Sequence, residues 1–82
     1  MKATVLVRPK AGILDPQGEA VGASLRNLGF PVAQVRVGRL VDVDVDATDA
    51  DEARRLVEKM AAALLANPLI ESFEVELQGD DA

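Results

Sequence analysis

The sequence predicts an α+β fold in which three strands and two helices alternate as β-α-β-α-β in a two-layer sandwich. Two amphipathic segments each begin at an acidic capping residue and end at a helix-stopping residue. Three other segments alternate apolar and polar residues, as strands with one buried face do. No linker, repeat or low-complexity tract divides the 82 residues, so we expect one domain over residues 1–82 with both helices on one face of the sheet.

Residues 3–8 form the first predicted strand, because apolar and polar side chains alternate along them. Pro9 ends the strand, since proline cannot donate to a strand ladder. The first helix is predicted to start at Asp15-Pro16. The aspartate can accept a hydrogen bond from the first helical turn, and proline at the first helical position loses no bond. Gly29 can take the left-handed conformation that ends a helix, and Pro31 prevents the helix from resuming.

Residues 32–46 are predicted to form one long, bent middle strand. Valines of one parity run along it: Val35, Val37, Val41, Val43 and Val45. A hairpin turn at Gly38-Arg39 would put the valines before and after it on opposite faces, so we interpret Gly38 as a kink or bulge. The alternative, a turn at Gly38, would give a ferredoxin-like β-α-β-β-α-β fold. A strand this long exceeds the usual length, which indicates that part of it pairs with a second copy.

Asp49 and Glu52 form a capping-box pattern that starts the second helix, with Thr48 and Asp51 as the competing register. An apolar stripe at helical spacing follows, and Asn67-Pro68 ends the helix. The stripe consists of Ala53, Leu56, Val57, Met60, Leu64 and Leu65.

The last predicted strand begins at residue 69 or 70 and ends at residue 77. Phe73 and Val75 share its apolar face, while the alternate residues are polar. Residues 78–82 are predicted to be a frayed tail, because they combine glycine with adjacent acidic residues.

Composition excludes several classes of function. The net charge of −5 repels a phosphate backbone, so we expect no nucleic-acid partner. No apolar run approaches the length of about 20 residues that spans a membrane, and the apolar run before Arg8 is too short for a signal peptide, so we expect a cytoplasmic protein without a membrane partner. A chain of 82 residues without cysteine has a thin core and no disulfide to support it, so we expect a homo-oligomer, either a dimer or a tetramer.

The sequence also lacks the usual equipment for catalysis. It contains no His, Cys, Tyr or Trp, which removes the commonest general base, the thiolate nucleophile and the commonest metal ligands. The acidic residues of segment 42–46 do not match a calcium loop, since Ala47 stands where the EF-hand pattern needs glycine. We therefore expect no catalytic residues, no bound cofactor and no metal site in this chain.

Three motifs, in order along residues 3–77, resemble the PurS family of small subunits of formylglycinamide ribonucleotide amidotransferase. Residues 9–18, Pro-Lys-Ala-Gly-Ile-Leu-Asp-Pro-Gln-Gly, resemble the family's link between the first strand and the first helix. Residues 28–30 followed by 35–39 resemble its passage into the long strand. Residues 64–71, Leu-Leu-Ala-Asn-Pro-Leu-Ile-Glu, resemble its link between the second helix and the last strand.

The resemblance implies a role in de novo purine synthesis. The enzyme, also called phosphoribosylformylglycinamidine synthase, uses formylglycinamide ribonucleotide, ATP with Mg, and glutamine. A large synthetase subunit binds ATP and the nucleotide, and a glutaminase subunit releases ammonia. The resemblance implies that a PurS dimer bridges these two subunits without chemistry of its own, with the long strand joining a sheet across the dimer.

Motif positions with polar or turn character are the candidate subunit-interface residues: Lys10, Gly12, Asp15, Gln17, Arg36, Arg39, Asn67 and Pro68. Two other functions stay open at this stage. A small dimeric regulatory module could bind an amino acid or nucleotide near the glycine-bearing turn before the first helix, and a generic oligomeric scaffold could serve another pathway.

Overall fold

The computed structural model describes residues 1–78, and its elements follow the predicted β-α-β-α-β order, which confirms the α+β class. The elements are β1 (Lys2–Pro9), α1 (Pro16–Asn27), β2 (Arg39–Asp44), α2 (Ala50–Met60), a π-helical turn (Ala61–Leu65) and β3 (Glu71–Leu77). Gln78, which the sequence placed in the tail, continues the ladder, because its amide donates to the Lys2 carbonyl at 2.9 Å. The rest of the predicted tail, residues 79–82, lies outside the described residues.

The three strands form an antiparallel sheet in the order β2-β1-β3. Val5 of the central strand stands opposite Val41 on one side and Val75 on the other, so residues of one parity share a face. Ala3, Val5 and Val7 are buried beneath α2, which packs on β1 and β3. An antiparallel sheet with one covered face and one open face accounts for the alternation seen in the sequence.

Both predicted helix starts are confirmed. Asp15 caps α1 by accepting from the Gly18 amide at 3.0 Å, and Asp49 caps α2 by accepting from the Glu52 amide at 2.8 Å. The Glu52 carboxylate reaches back to the Thr48 hydroxyl at 2.7 Å, so Asp49 and not Thr48 is the cap.

The first helix also ends as predicted. Gly29 takes a positive φ of 96° and its amide donates to the Arg26 carbonyl, while the Phe30 amide donates to the Leu25 carbonyl. Both bonds measure 3.0 Å. These two bonds form a Schellman motif, which satisfies the last carbonyls of α1.

The second helix does not stay α-helical to the end of its apolar stripe. After Met60 it widens into the π-helical turn, where the Ala66 amide donates to the Ala61 carbonyl at 2.9 Å. Single π turns of this kind often occur at functional sites in helices. Leu64 consequently stands out of the core and is 83% exposed, although the helical spacing placed it in the buried stripe.

The core is thin and built mainly from small side chains. Val5, Val7 and Val57 are its largest fully buried residues. The buried apolar set is Ala3, Val5, Val7, Val45, Ala53, Val57, Ala61 and Ala66. A core of valines and alanines supplies little burial free energy, so a chain of this size gains stability from association.

The middle strand is shorter than predicted. Of the predicted strand 32–46, the structure of residues 1–78 places only Arg39–Asp44 in the sheet as β2. Residues 32–38, here called the return segment, take no part in the sheet. The register of β1 with β2 begins at Val7 and Arg39, and β1 ends two residues later at Pro9, so residues 32–36 have no β1 backbone opposite them. Gly38 is neither a hairpin turn nor a bulge inside a strand. It lies where a Cβ would collide with the Val7 carbonyl oxygen. The hairpin of the ferredoxin-like alternative does not form within residues 1–78, because residues 32–38 pair with no strand there.

The expectation that both helices cover the sheet holds for α2 alone. The only buried residues of α1 are Gly18 and Gly22, and the neighbour that covers them is the return segment through Val35. With α1 away from the sheet, the chain is elongated, at 49 × 30 × 14 Å. Its radius of gyration is 15.9 Å, whereas a compact domain of this length has about 12 Å.

Candidate subunit interface

Three chain segments meet at one end of the sheet. They are the loop from β1 to α1 (residues 10–15), the end of the return segment with the start of β2 (residues 36–39), and the link from the π-helical turn to β3 (residues 65–71). We call this place the junction. Seven of the eight candidate interface residues lie in it, all but Gln17, and four of its hydrogen bonds run between a side chain of one segment and the backbone of another.

Asp15 joins the start of α1 to the return segment. One carboxylate oxygen accepts from the Gly18 amide at 3.0 Å, and the other accepts from the Val37 amide at 2.8 Å. Arg36 adds a more distant cation, with Nε 3.9 Å from the carboxylate. The Val37 amide, followed by the Gly18 amide and the Arg36 charge, holds the pKa of Asp15 below its ordinary value, because all three favour the charged form.

Lys10 and Arg36 hold the loop before α1 in place. The Lys10 ammonium donates to the Pro68 carbonyl at 2.7 Å, and its amide donates to the Ile70 carbonyl at 2.9 Å. The Arg36 guanidinium donates to the Lys10 carbonyl at 2.9 Å. The loop is therefore fastened on one side to the approach to β3 and on the other to the return segment.

Arg39 and Glu71 form the strongest polar contact of the junction. Two guanidinium nitrogens of Arg39 donate to the two carboxylate oxygens at 2.7 and 2.9 Å, and one of them also donates to the Leu65 carbonyl at 2.6 Å. The Asn67 amide donates to Glu71 at 2.7 Å. The Arg39 hydrogen bonds and the Asn67 amide lower the pKa of Glu71 to about 2, and the same pair raises the pKa of Arg39.

Asn67 and Pro68 form the turn that leads into β3. The Asn67 side-chain oxygen accepts from the Leu69 amide at 3.1 Å, and its backbone carbonyl accepts from the amides of Ile70 and Glu71. Asparagine often closes a turn on its own backbone in this way. The predicted role of this pair as the stop of the second helix is confirmed at Ala66, where the backbone becomes extended.

The other two candidates stand apart from this network. Gly12 is exposed, has a positive φ of 82°, and no atom lies within 4 Å of where its Cβ would stand. Gln17 faces a cleft of about 300 Å³ whose walls include Leu14, Val37 and Ile70. The positive φ of Gly12 thus accounts for the turn in the loop before α1. The Gln17 side chain makes none of the hydrogen bonds described for residues 1–78, so it is available to contact another molecule.

Sequence reasoning missed Glu71 and the close backbone approach at Gly38. Glu71 shares its parity with Phe73 and Val75, which face the core, and an acidic residue on a core-facing parity indicates a buried or paired role. That signal was present in the sequence. At Gly18, a Cβ would collide with the Asp15 carboxylate and the Val35 carbonyl, and at Gly38 with the Val7 carbonyl. A glycine inside a helix costs stability and so predicts a close approach at Gly18, which the structure confirms. The approach at Gly38 joins segments distant in the chain, and spacing alone does not reveal it.

Large apolar side chains surround the junction and line α1. Leu69 is 82% exposed and Leu14 72%, both beside the cleft or the turn described above. The other exposed apolar residues are Val21, Leu28, Phe30, Leu40, Leu64 and Ile70. So many exposed large apolar side chains on a small protein indicate that part of this surface binds another molecule.

A cleft of about 450 Å³ lies between α1 and the return segment. Three of its four charged residues, Asp15, Arg26 and Arg36, already bond to backbone atoms, which leaves Glu19 alone and no set of polar groups converging on one position as in a ligand site. Among residues 1–78, no acidic cluster has the arrangement of a metal site. No helix in this part of the chain is both long and apolar enough to cross a bilayer.

The comparison with known proteins identifies the family. The family model described as PurS, phosphoribosylformylglycinamidine (FGAM) synthase, matches residues 2–79. The chain belongs to the PurS family. The PurS subunit of phosphoribosylformylglycinamidine synthase from Methanocaldococcus jannaschii is 33% identical over 78 residues, which cover 94% of each chain.

Solved PurS structures share the whole fold. PurS from Bacillus subtilis has a TM-score of 0.83 and 35% identity, covering 95% of this chain and 98% of its own. PurS from M. jannaschii, one of the subunits of formylglycinamide ribonucleotide amidotransferase in the purine biosynthetic pathway, has a TM-score of 0.81. A chain in PurLQS from Thermotoga maritima has a TM-score of 0.84 and 33% identity, covering 92% of this chain and 93% of that one.

Proposed function

We propose that this chain is the small, non-catalytic subunit of a cytoplasmic phosphoribosylformylglycinamidine synthase, acting in de novo purine biosynthesis. In this role it bridges the glutaminase subunit and the large synthetase subunit, so that ammonia released from glutamine reaches the synthetase site. The single observation that carries the proposal is the match, over 92% of the chain, to a chain of PurLQS from T. maritima.

The residue content supports a structural role within that complex. A chain without His or Cys lacks the commonest general base and the thiolate nucleophile, so in this proposal its contribution comes from binding surface. ATP, Mg and glutamine are used by the larger subunits in this proposal, and this chain binds none of them. Neither nucleic acid nor a membrane is a partner.

A second copy of the chain is the first partner. The return segment is extended from the start of β2 but pairs with no strand of its own chain, and α1 has no sheet to cover. The return segment of one copy can add as a fourth strand to the sheet of another, which would bring the apolar face of α1 onto that sheet. This arrangement would hide residues such as Val21 and Leu28, which one copy leaves exposed.

The larger subunits dock on the surface around the junction in this proposal. Arg36 and Arg39 are fastened to groups of their own chain, so they shape the surface more than they reach into a partner. Gln17, Leu14 and Leu69 lie beside them with side chains facing outward. A rigid polar junction next to exposed leucines has the composition of an interface, with an apolar centre and a polar rim.

Product formation by the two larger subunits tests the proposal. It would be measured with and without this chain, once with glutamine and once with an ammonium salt as the nitrogen source. We expect glutamine-dependent synthesis to require this chain and ammonia-dependent synthesis to proceed without it. If neither activity responds to the chain, the bridging role is wrong.

Two proline substitutions test the association of copies. Ala33→Pro and Gln34→Pro each remove one backbone N–H of the return segment, on opposite sides of an extended strand. We expect one of them to shift the molecular mass from an oligomer toward a single chain, while Gln34→Ala, the matched control, leaves the oligomer intact. If both proline variants keep the wild-type mass, the return segment does not join copies.

A further inference from the structure

The sheet has two outer edges, and their backbone groups can be assigned from the ladder. The Gln78 amide bonds to the Lys2 carbonyl and the Lys10 amide to the Ile70 carbonyl. In an antiparallel pair such bonded positions alternate with unbonded ones. The even-numbered residues of β3 therefore bond to β1, and the odd-numbered residues direct their N–H and C=O groups to the outer edge. These outward residues are Glu71, Phe73, Val75 and Leu77.

Two of these four outward positions are already closed by the chain itself. The Glu71 amide donates to the Asn67 carbonyl at 2.7 Å, inside the turn that leads into β3. The Val75 carbonyl accepts from the Arg54 guanidinium at 3.1 Å. Because these positions alternate with Phe73 and Leu77, no two successive outward residues of β3 have all their groups open. A strand added at this edge would have to displace one of the two bonds to form a ladder.

The outer edge of β2 is arranged differently. The Val45 amide bonds to the Met1 carbonyl, so the odd-numbered residues of β2 bond to β1. The outward residues are then Leu40, Asp42 and Asp44. In the structure of residues 1–78 their outward backbone groups bond to no other part of the chain. Three successive outward residues are open here, which is enough for a short ladder.

We propose that Arg54 closes the β3 edge, so that copies of this chain associate through the β2 edge alone. The proposal deepens the association of copies proposed above and rests on it. The partner excluded at β3 is a second copy's strand, which would need the Val75 carbonyl for its ladder.

The position of Arg54 in α2 suits this task. Its neighbour Ala53 is fully buried against the sheet, as is Val57 one turn later, which fixes α2 above β1 and β3. From this anchored position the exposed Arg54 side chain reaches over β3 to its outer carbonyl. A charged side chain at a sheet edge is a known means of preventing edge-to-edge pairing, since an incoming strand would have to bury or displace the charge.

The test compares Arg54→Ala with Arg55→Ala in the full chain by sedimentation over a range of concentrations. Arg55 is the neighbouring exposed arginine of α2, so both variants lose one positive charge. We expect the weight-average mass of Arg54→Ala to rise at least about twofold with concentration above that of the wild type, as an opened edge recruits further copies. Arg55→Ala should keep the wild-type mass.

Hydrogen exchange then locates the new contact. In the Arg54→Ala assemblies the outward amides of Phe73 and Val75 should gain protection, while in the wild type they exchange freely. Association without that protection would overturn the proposal, and so would a wild-type mass for Arg54→Ala at all concentrations. Arg54→Lys gives an independent check if the alanine variant does not fold, since a shortened cation should open the edge in part and give an intermediate mass. The proline variants of the return segment test only whether that segment joins copies at the β2 edge. A failure of that proposal can therefore be told apart from a failure of the role of Arg54 at the β3 edge.

Discussion

The Arg39 guanidinium and the Glu71 carboxylate face each other as a two-bond pair, with N–O distances of 2.7 and 2.9 Å. The pair ties the first residue of β2 to the first residue of β3, two strands that lie on opposite sides of β1. It also holds the end of the π-helical turn through the Leu65 carbonyl. One arginine thus sets the relative position of three elements at the junction.

Replacing Glu71 with Gln should lower the stability of the fold. The amide keeps one oxygen acceptor but loses the charge that Arg39 and the Asn67 amide require. Glu74→Gln is the matched control, because its pair with Arg8 is about 60% exposed on both sides and such pairs contribute little. Urea unfolding followed by circular dichroism should show a clear loss for Glu71→Gln and almost none for Glu74→Gln. Equal midpoints for the two variants would contradict a structural role for the Arg39 pair.

Stability should fall in acid because of Glu71 and Asp15. The pKa of Glu71 is lowered from 4.5 to about 2, and that of Asp15 is also lowered. A folded-state pKa below the unfolded value stabilises the fold above the unfolded pKa, and this stabilisation is lost as the pH falls through the folded pKa. The wild type should therefore lose stability between about pH 4.5 and pH 2.

The Glu71→Gln variant supplies the control for that pH profile. Its unfolding midpoint should lie below that of the wild type at pH 7, and the two should converge near pH 2, where Glu71 itself becomes protonated. A gap that stays constant down to pH 2 would show that the charge of Glu71 does not cause the difference.

Gly38→Ala should destabilise the chain more than Gly12→Asn. At Gly38 the new Cβ would meet the Val7 carbonyl, and overpacking against backbone costs typically about 1–3 kcal/mol. At Gly12 the space is open and φ is positive, a conformation that asparagine tolerates. Thermal unfolding of both variants tests this order, and a Gly12→Asn variant that is the less stable of the two would reverse it.

Asp15→Ala and Asp49→Ala should differ in which backbone amides exchange faster. Both remove a helix cap, but Asp15 also accepts from the Val37 amide in the return segment. Asp49→Ala should cost about 1 kcal/mol, the usual effect of losing an aspartate cap, and should speed amide exchange in the first turn of α2 only. Asp15→Ala should speed exchange both in the first turn of α1 and at Val37. Unchanged protection of Val37 would mean that this bond does not hold the return segment.

Leu69→Ala should weaken assembly with a larger subunit without changing the stability of the fold. The side chain is 82% exposed, so its loss should leave the unfolding midpoint almost unchanged. If the surface around the junction meets a larger subunit, the variant should weaken assembly of the complex by about tenfold or more, as loss of an apolar anchor does. Val57→Ala is the opposite control, since it empties a fully buried position and should cost about 2–3 kcal/mol of stability. Assembly that is indifferent to Leu69→Ala would place the docking surface elsewhere.

Local signals in the sequence predicted most of the elements. Asp15, Asp49 and Gly29 act through neighbours within a few residues, so the chain around them was enough to place the helix ends. The alternation in β1 and β3 also reports directly on one buried face. The element order, the α+β class and the family resemblance followed from these signals and are confirmed.

The errors arose where the outcome depends on distant residues. The valines of segment 32–46 favour extended structure throughout, yet pairing needs an opposing strand, and β1 provides one only from Arg39 onward. Leu64 fits the spacing of the second helix, but the π-helical turn rotates it outward. The apolar stripe of α1, Val21, Leu25 and Leu28, predicts a surface that packs on the sheet, whereas the buried residues of α1 lie against the return segment. The pairing of Arg39 with Glu71 joins residues 32 positions apart, which no local pattern reveals.

The unpaired return segment and the bare apolar stripe of α1 also bear on how cells would handle a single copy of this chain. A copy without companions presents extended backbone and exposed leucines over a valine–alanine core, which are the features that proteases and chaperones engage in incompletely assembled proteins. We therefore expect the lifetime of the chain to rise with the supply of its partners. Its abundance would then follow theirs after synthesis, without any separate control of its own production.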